Sequence, residues 1–147
     1  RFVSLCLGKP YTMPTIQKFE DLQIWQKARQ LSHKVYPLTF REPISSDYRI
    51  RDQIRGSCGS IMDNIAEGFE RGGNNEFKNS LSIAKGETGE LKSQLYRCVD
   101  NNYITAEDFK ELYSLADELT RMITGFMNYL IKATIKGQKF NKRTKDE

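Results

Sequence analysis

The chain has 147 residues, of which 38% are hydrophobic and 29% are charged, a composition that fits one compact domain. Three cysteines at wide spacing exclude a disulfide scaffold and favour a reducing cytoplasm, and no apolar run approaches the ~20 residues of a membrane-spanning helix. The net charge of +4 lies in residues 132–147, which hold six basic and two acidic residues, so the rest of the chain is neutral.

Proline marks the N-terminal part of the chain, because all four prolines lie within the first 43 residues. We predict an irregular leader at 1–17, with Met13 as a candidate natural start, a helical domain at 18–135 and a basic tail at 136–147. The stretch after Pro43 permits long helices, since proline breaks helix interiors.

Two helices are predicted in the first half of the chain. The first covers Phe19–Phe40, where apolar residues repeat at helical spacing, and Pro37 in its last turn tightens or ends it. The second covers Asp47–Phe69, with a serine or aspartate of the segment 45–47 as its N-cap. Cys58 lies on the apolar face of this second helix and is predicted to be a buried thiol.

Two further helices follow after short connections. The third covers Asn75–Asp100 and has the most regular apolar repeat in the chain. The fourth opens at Thr105, with Asp108 three residues later in the spacing of a capping box. Extra apolar residues, including Ile131, broaden its stripe, so this helix is predicted to bury more than one face.

The four amphipathic segments predict an all-α protein. Short connections between successive helices make neighbours antiparallel, so the expected architecture is an up-down-up-down four-helix bundle. The seven-residue apolar repeat is also compatible with an extended coiled-coil oligomer, but the short loops favour the closed bundle.

Four glycines interrupt the second and third helices. Around a turn centred between residues 72 and 73, Gly59 faces Gly86 and Gly56 faces Gly89 at matching heights. Glycine is costly inside a helix, so we expect either a close approach of the two backbones or a shallow groove that receives a ligand. Leucine at Gly59 and Gly86 is expected to disturb packing or assembly.

Basic residues form two rows on the same pair of helices. Lys78, Lys85 and Lys92 recur every seven residues on the third helix, and Arg51 and Arg55 lie one turn apart on the second. If the rows adjoin, they form a positive strip for phosphates; salt bridges with nearby glutamates are the alternative. The basic tail adds candidate phosphate contacts at Lys136, Lys139, Lys142 and Arg143.

The remaining polar residues give no sign of catalysis or metal binding. Glu67 and Glu90 are paired carboxylates in principle, but a di-metal helical bundle uses Glu-x-x-His pairs and His33 is the only histidine. Trp25, Asn64 and Glu67 are therefore assigned to helix packing or an interface. We expect no enzyme activity, no metal and no cofactor.

Several motifs resemble one family. They are Phe19-Glu20-Asp21-Leu22, Trp25-Gln26-Lys27-Ala28, Asp52-Gln53-Ile54-Arg55, Asn64-Ile65-Ala66-Glu67-Gly68 and Ile83-Ala84-Lys85-Gly86. Over residues 17–131 the chain resembles the bacterial four-helix bundle proteins encoded in 23S rRNA intervening sequences, also called S23 ribosomal proteins. It is similar, too, to the accessory protein of diversity-generating retroelements.

This resemblance implies a homo-oligomer, typically a pentamer, with no agreed enzymatic activity. The related accessory protein binds a reverse transcriptase and nucleic acid. We therefore predict a cytoplasmic, non-enzymatic, oligomeric scaffold that binds nucleic acid, most plausibly structured RNA, through its basic residues. The alternative is an adaptor for a protein partner that has no nucleic-acid role.

Overall fold

The structure is a computed structural model that describes the backbone of residues 16–143 and the side chains of residues 16–134. Its four long helices are α1 (Gln23–Val35), α2 (Tyr48–Glu70), α3 (Asn74–Asp100) and α4 (Ala106–Arg143). The described residues contain no strand, which confirms the all-α class. Most of the predicted leader lies outside the described residues.

Each of the four helices packs against two others. α1 packs against α2 and α4, and α3 packs against the same two helices. Residues 71–73 join α2 to α3, and residues 101–105 join α3 to α4, so each connection turns the chain back on itself. These contacts confirm the four-helix bundle.

The first helix is shorter than predicted. The α-helix ends at Val35, and Tyr36–Phe40 continues as a 3-10 helix with Pro37 near its start. Proline has no backbone N–H, so it cannot continue the α-helical hydrogen-bond ladder. At the other end Phe19–Asp21 forms a separate 3-10 turn before α1 begins.

The predicted apolar faces form the core. The largest side chains with less than 2% exposure come from all four helices and include Leu31, Ile54, Ile61, Ile65, Leu81, Leu91, Leu95, Leu119 and Ile123. Ile131 is an exception, because it is 40% exposed while its neighbour Leu130 is buried. Adjacent helical residues point about 100° apart, so burying Leu130 turns Ile131 outward.

Both predicted N-caps are present. The Asp47 carboxylate accepts a hydrogen bond from the Ile50 N–H at 3.4 Å, and the Thr105 hydroxyl accepts one from the Asp108 N–H at 3.0 Å. Gly72, in the α2–α3 connection, has a φ of +80°, a backbone conformation that residues other than glycine rarely adopt. Local sequence signals therefore set these helix ends.

The core holds two unreactive thiols. Cys58 and Cys98 are both buried, and burial raises the pKa of Cys58 to about 12 and that of Cys98 to about 11. A thiol becomes a nucleophile only as the thiolate, so both groups act as small apolar side chains. The buried thiol predicted at Cys58 is confirmed.

α4 continues well past the bundle core. Its backbone is helical to Arg143 and so includes residues 136–143 of the predicted basic tail. The side chains of Lys136, Lys139, Lys142 and Arg143 lie outside the described residues. Along residues 16–143, none of the helices combines the length and apolarity needed to cross a membrane.

Candidate functional site

A cluster of arginines and exposed aromatic rings lies where the 3-10 helix Tyr36–Phe40 packs against the start of α2. Its members are Tyr36, Phe40, Tyr48, Arg51 and Arg55, which we call the arginine–aromatic surface. Phe40 is 67% exposed, Tyr48 66% and Tyr36 40%. Large aromatic side chains are usually buried, so exposed rings beside two arginines make this surface a candidate contact site.

Arg55 is held against two of these rings. Its Cζ lies 4.4 Å from the ring centroid of Phe40 and 5.3 Å from that of Tyr36. Its Nε donates a hydrogen bond of 2.8 Å to the hydroxyl of the buried Thr39, which in turn donates to the Tyr36 carbonyl at 2.7 Å. Arg55 forms no ion pair within residues 16–134, so its charge is not neutralised there.

Arg51 makes a similar contact one turn earlier in α2. Its Cζ lies 4.7 Å from the Tyr48 ring centroid, and its Nε donates a 2.9 Å hydrogen bond to Asp52. The Asp52 carboxylate partly offsets the positive charge of Arg51. Within residues 16–134, Arg51 thus has a carboxylate partner that Arg55 lacks.

A groove runs beside this surface along the exposed side of α1. The rings of Tyr36 and Phe40 form part of its wall, and Arg29, His33 and Met62 also line it. Within residues 16–134 the lining contains no carboxylate, and Gln26, Gln30 and Ser32 add neutral hydrogen-bonding groups. We call this cleft the α1 groove. It combines aromatic faces, a positive charge and neutral polar groups.

Sequence reasoning found the two arginines but missed the aromatic rings beside them. A signal was present, because Tyr36 and Phe40 lie off the apolar stripe of the first helix and four residues apart, on one side of it. An apolar stripe identifies the buried residues, whereas rings outside the stripe, such as Tyr36 and Phe40, are left exposed.

The predicted positive strip does not form. Lys92 on α3 turns toward α4, where its Nζ bonds Asp117 at 2.9 Å and lies 5.2 Å from the Tyr113 ring centroid. Arg55 on α2 turns the other way, toward Thr39. Lys92 and Arg55 therefore point to different neighbours, α4 and the 3-10 helix Tyr36–Phe40. Sequence spacing correctly grouped each row, but it does not determine how one helix is rotated against the next.

The Lys92–Asp117 ion pair yields a pH-dependent prediction. The hydrogen bond and charge of Lys92, helped by Arg121, lower the pKa of Asp117 below its ordinary value of 3.8. A lowered folded-state pKa stabilises the fold above the ordinary value, and this stabilisation is lost as the pH falls through the lower one. Lys92→Met should therefore raise the Asp117 titration midpoint, measured by carboxyl NMR.

A matched control for this titration lies on the same helix. Lys85 is exposed, seven residues before Lys92, and forms no ion pair within the described residues. Lys85→Met removes the same charge and should leave the Asp117 midpoint unchanged. Equal shifts in both variants would mean that overall charge, not the direct pair, sets the pKa.

A second groove lies between α2 and α3. Gly56, Ser57 and Ser60 line one side, and Glu87, Glu90, Ser93 and Gln94 line the other. At its base, the Gln94 side-chain Nε2 donates a 3.0 Å hydrogen bond to the Ser57 hydroxyl across the two helices. The Gln94 Oε1 is buried without a hydrogen-bond partner among the described side chains, and Gln94 is only 6% exposed. We call this cleft the α2–α3 groove.

The two glycine pairs singled out from the sequence do not bring the backbones of α2 and α3 together. A Cβ added at Gly56, Gly59, Gly86 or Gly89 would have no atom within 4 Å among the neighbouring residues. The predicted close approach is therefore wrong at these positions, whereas the predicted shallow groove is present beside Gly56. The glycines face open space because they lie outside the helix seam.

The close approach occurs instead at Gly68. A Cβ there would lie 2.6 Å from the Cβ of Ser80 and 3.5 Å from the Cα of Phe77. Gly68 is buried inside α2, which runs on to Glu70. Only glycine lets α2 and α3 approach this closely near their shared turn.

The other residues assigned to packing or an interface make local contacts. The Trp25 ring lies 5.1 Å from that of Phe19 in an edge-on arrangement. Asn64 donates a 2.8 Å hydrogen bond to the Ser60 carbonyl, and Glu67 pairs with Arg71 one turn later. In residues 16–134 no three histidine, cysteine, aspartate or glutamate side chains cluster as a metal site would require.

The sequence profile of one family, described as 23S rRNA-intervening sequence protein, matches residues 20–125. The chain belongs to this family. The match includes the whole arginine–aromatic surface and both grooves, but it ends before the basic residues 132–147. The features that the family match covers are therefore those of the bundle itself.

A solved structure supports the fold of this family member. The crystal structure of a protein of unknown function from the S23 ribosomal protein family of Bacteroides thetaiotaomicron superposes with a TM-score of 0.65 at 22% sequence identity. The alignment covers 71% of this chain and 97% of that one. No match was found among curated proteins. The similarity shows a shared fold, which agrees with the family assignment.

Proposed function

We propose that the protein is a non-enzymatic, homo-oligomeric scaffold that binds structured RNA through the arginine–aromatic surface. One observation carries this proposal. The Arg55 guanidinium is held by Thr39 beside two exposed rings and has no carboxylate partner within residues 16–134. A fixed guanidinium of this kind binds phosphate oxygens, and the neighbouring rings accept bases.

The family is described by its link to an intervening sequence of 23S rRNA, and RNA is the ligand that we propose. The same surface would also contact DNA phosphates, and a nucleic-acid enzyme such as a reverse transcriptase is a further candidate partner. Phosphate contacts alone do not separate these ligands.

Assembly would strengthen a weak site. A single copy offers few unpaired cations on this surface, so one copy should bind RNA weakly. Several linked copies raise the effective concentration of each further contact. The homo-oligomer, and the pentamer implied by the sequence resemblance, belong to this proposal for that reason.

The experiment is a titration of a fluorescent stem-loop RNA, followed by anisotropy, at about 50 mM and about 200 mM salt. Affinity should fall steeply with salt. The double variant Arg51→Gln/Arg55→Gln should weaken binding by about tenfold or more and make the salt dependence shallower, because two phosphate contacts are lost.

Lys110→Gln/Arg121→Gln is the matched control, since both residues are exposed on α4 and the net charge falls equally. This control should retain most of the affinity. Absence of binding at low salt, or equal weakening in both double variants, would contradict the proposal.

A protein-partner adaptor is the second candidate, and the α2–α3 groove favours it. Among residues 16–134, the buried Gln94 Oε1 at this groove has no hydrogen-bond partner, and buried polar atoms usually have one. Gly59→Leu/Gly86→Leu adds side chains beside the groove in space that is open in the single chain. Unchanged melting with an altered solution mass would show that this groove is a contact between protein chains. The adaptor would be favoured if the wild-type protein, in addition, binds no RNA at low salt.

A further inference from the structure

We infer that the RNA site reads an unpaired base, which stacks on the exposed ring of Phe40 at the mouth of the α1 groove. This inference rests on the proposed function and adds the class of RNA that is bound. It predicts a preference for loops, bulges and single strands over continuous duplex.

The Phe40 ring has one face available. Arg55 lies against the ring at 4.4 Å, yet Phe40 is still 67% exposed. The face that Arg55 leaves open is therefore free for a second flat group. A base placed there would complete a stack of guanidinium, ring and base.

The ring is also held in place before any ligand arrives. Phe40 ends the 3-10 helix, whose backbone is restrained by Pro37 and by the bond from the buried Thr39 to the Tyr36 carbonyl. The Tyr36 ring lies 5.8 Å from the Phe40 ring and supports it from the side. A prearranged ring loses little conformational entropy when a base stacks on it.

The groove next to the ring has groups suited to the edge of a base. His33, Gln26 and Gln30 carry donors and acceptors, and Arg29 adds positive charge without any carboxylate in the lining. Watson–Crick edges offer donors and acceptors of the same kind only when the base is unpaired. In an A-form duplex the base faces are covered by their neighbours, so Phe40 would have nothing to stack on.

The test compares one stem-loop RNA with a fully paired duplex of the same stem sequence. The wild-type protein should bind the stem-loop more tightly. Phe40→Ala should weaken stem-loop binding by about fivefold to a hundredfold, the range expected for one lost stack, and should hardly change duplex binding.

Two further substitutions separate stacking from simple apolar contact. Phe40→Trp keeps a flat ring and should retain the preference for the stem-loop, whereas Phe40→Leu keeps apolar bulk and should lose it. Tyr129→Ala removes another exposed ring, on α4, and is the matched control that should leave binding unchanged. A 2-aminopurine placed in the loop should be quenched by the wild type but not by Phe40→Leu.

The outcomes distinguish this inference from the proposed function. Equal affinity for stem-loop and duplex, with binding still dependent on Arg51 and Arg55, would overturn the inference and leave the proposed function in place. No binding of either RNA at low salt would overturn both. If Phe40→Ala changes the solution mass but not the RNA affinity, the ring is a contact between copies of the chain and the inference fails.

Discussion

Replacing Leu91 with alanine should lower the free energy of unfolding by about 2–5 kcal/mol. Leu91 lies in the middle of α3, the helix that packs against both α2 and α4, and its side chain is 0% exposed. Alanine would forfeit the burial of the removed methyl groups and leave a cavity that the three helices close only in part. Urea unfolding followed by circular dichroism measures this loss.

Ile83 provides the control on the same helix. It is a large aliphatic residue eight positions earlier in α3, but it is 53% exposed. Ile83→Ala should change the stability by no more than about 0.5 kcal/mol, as is usual for surface positions. A similar loss in both variants would contradict the attribution of the Leu91→Ala loss to core packing, because alanine is the better helix former at both positions.

The second large effect is expected at Gly68, where an alanine should cost about 1–3 kcal/mol. The added Cβ would lie 2.6 Å from the Cβ of Ser80, so α2 and α3 must separate near their turn. The clash involves a Cβ that no rotamer change moves. Ser80→Gly removes that atom, so Gly68→Ala/Ser80→Gly should recover part of the loss.

Gly59→Ala is the matched control for this position. It makes the same chemical change in the same helix, but the new Cβ meets no atom within 4 Å. Alanine is the better helix former, so this variant should be more stable by up to about 1 kcal/mol. In thermal and urea unfolding, Gly68→Ala should therefore lower the free energy of unfolding and Gly59→Ala should raise it. Equal effects would show that the approach at Gly68 is not tight.

Much of the bundle was predictable because its signals are local. The apolar repeat on α3 identified Leu81, Ala84, Leu91 and Leu95 as core residues, and all are buried. The Thr105 cap depends on a residue three positions later, so spacing alone revealed it. The predicted end of the first helix was less accurate, because Pro37 allowed either a tightened or a terminated helix. In the structure the α-helix ends at Val35, and the chain continues as the tighter 3-10 helix Tyr36–Phe40.

The candidate site was predictable only in part. Arg51 and Arg55 were identified as one row, yet their neighbours were expected on α3 and are instead the rings of the 3-10 helix and of Tyr48. Lys92 was expected to bind phosphate and is paired with Asp117. Tyr48 lies on α2 itself, three residues before Arg51, but the other partners come from other helices, and periodicity within one helix carries no information about those.

The sequence by itself determined the class of fold, the four helices and the face that each one buries. These properties follow from side-chain spacing along a single helix, which the amino-acid order states directly. Only the tertiary structure decided that Gly68 is the point of close approach, that the four other glycines face open space, and that Arg55 meets Phe40. Each of these depends on the rotation and separation of packed helices, which are set by all the side chains of the core together.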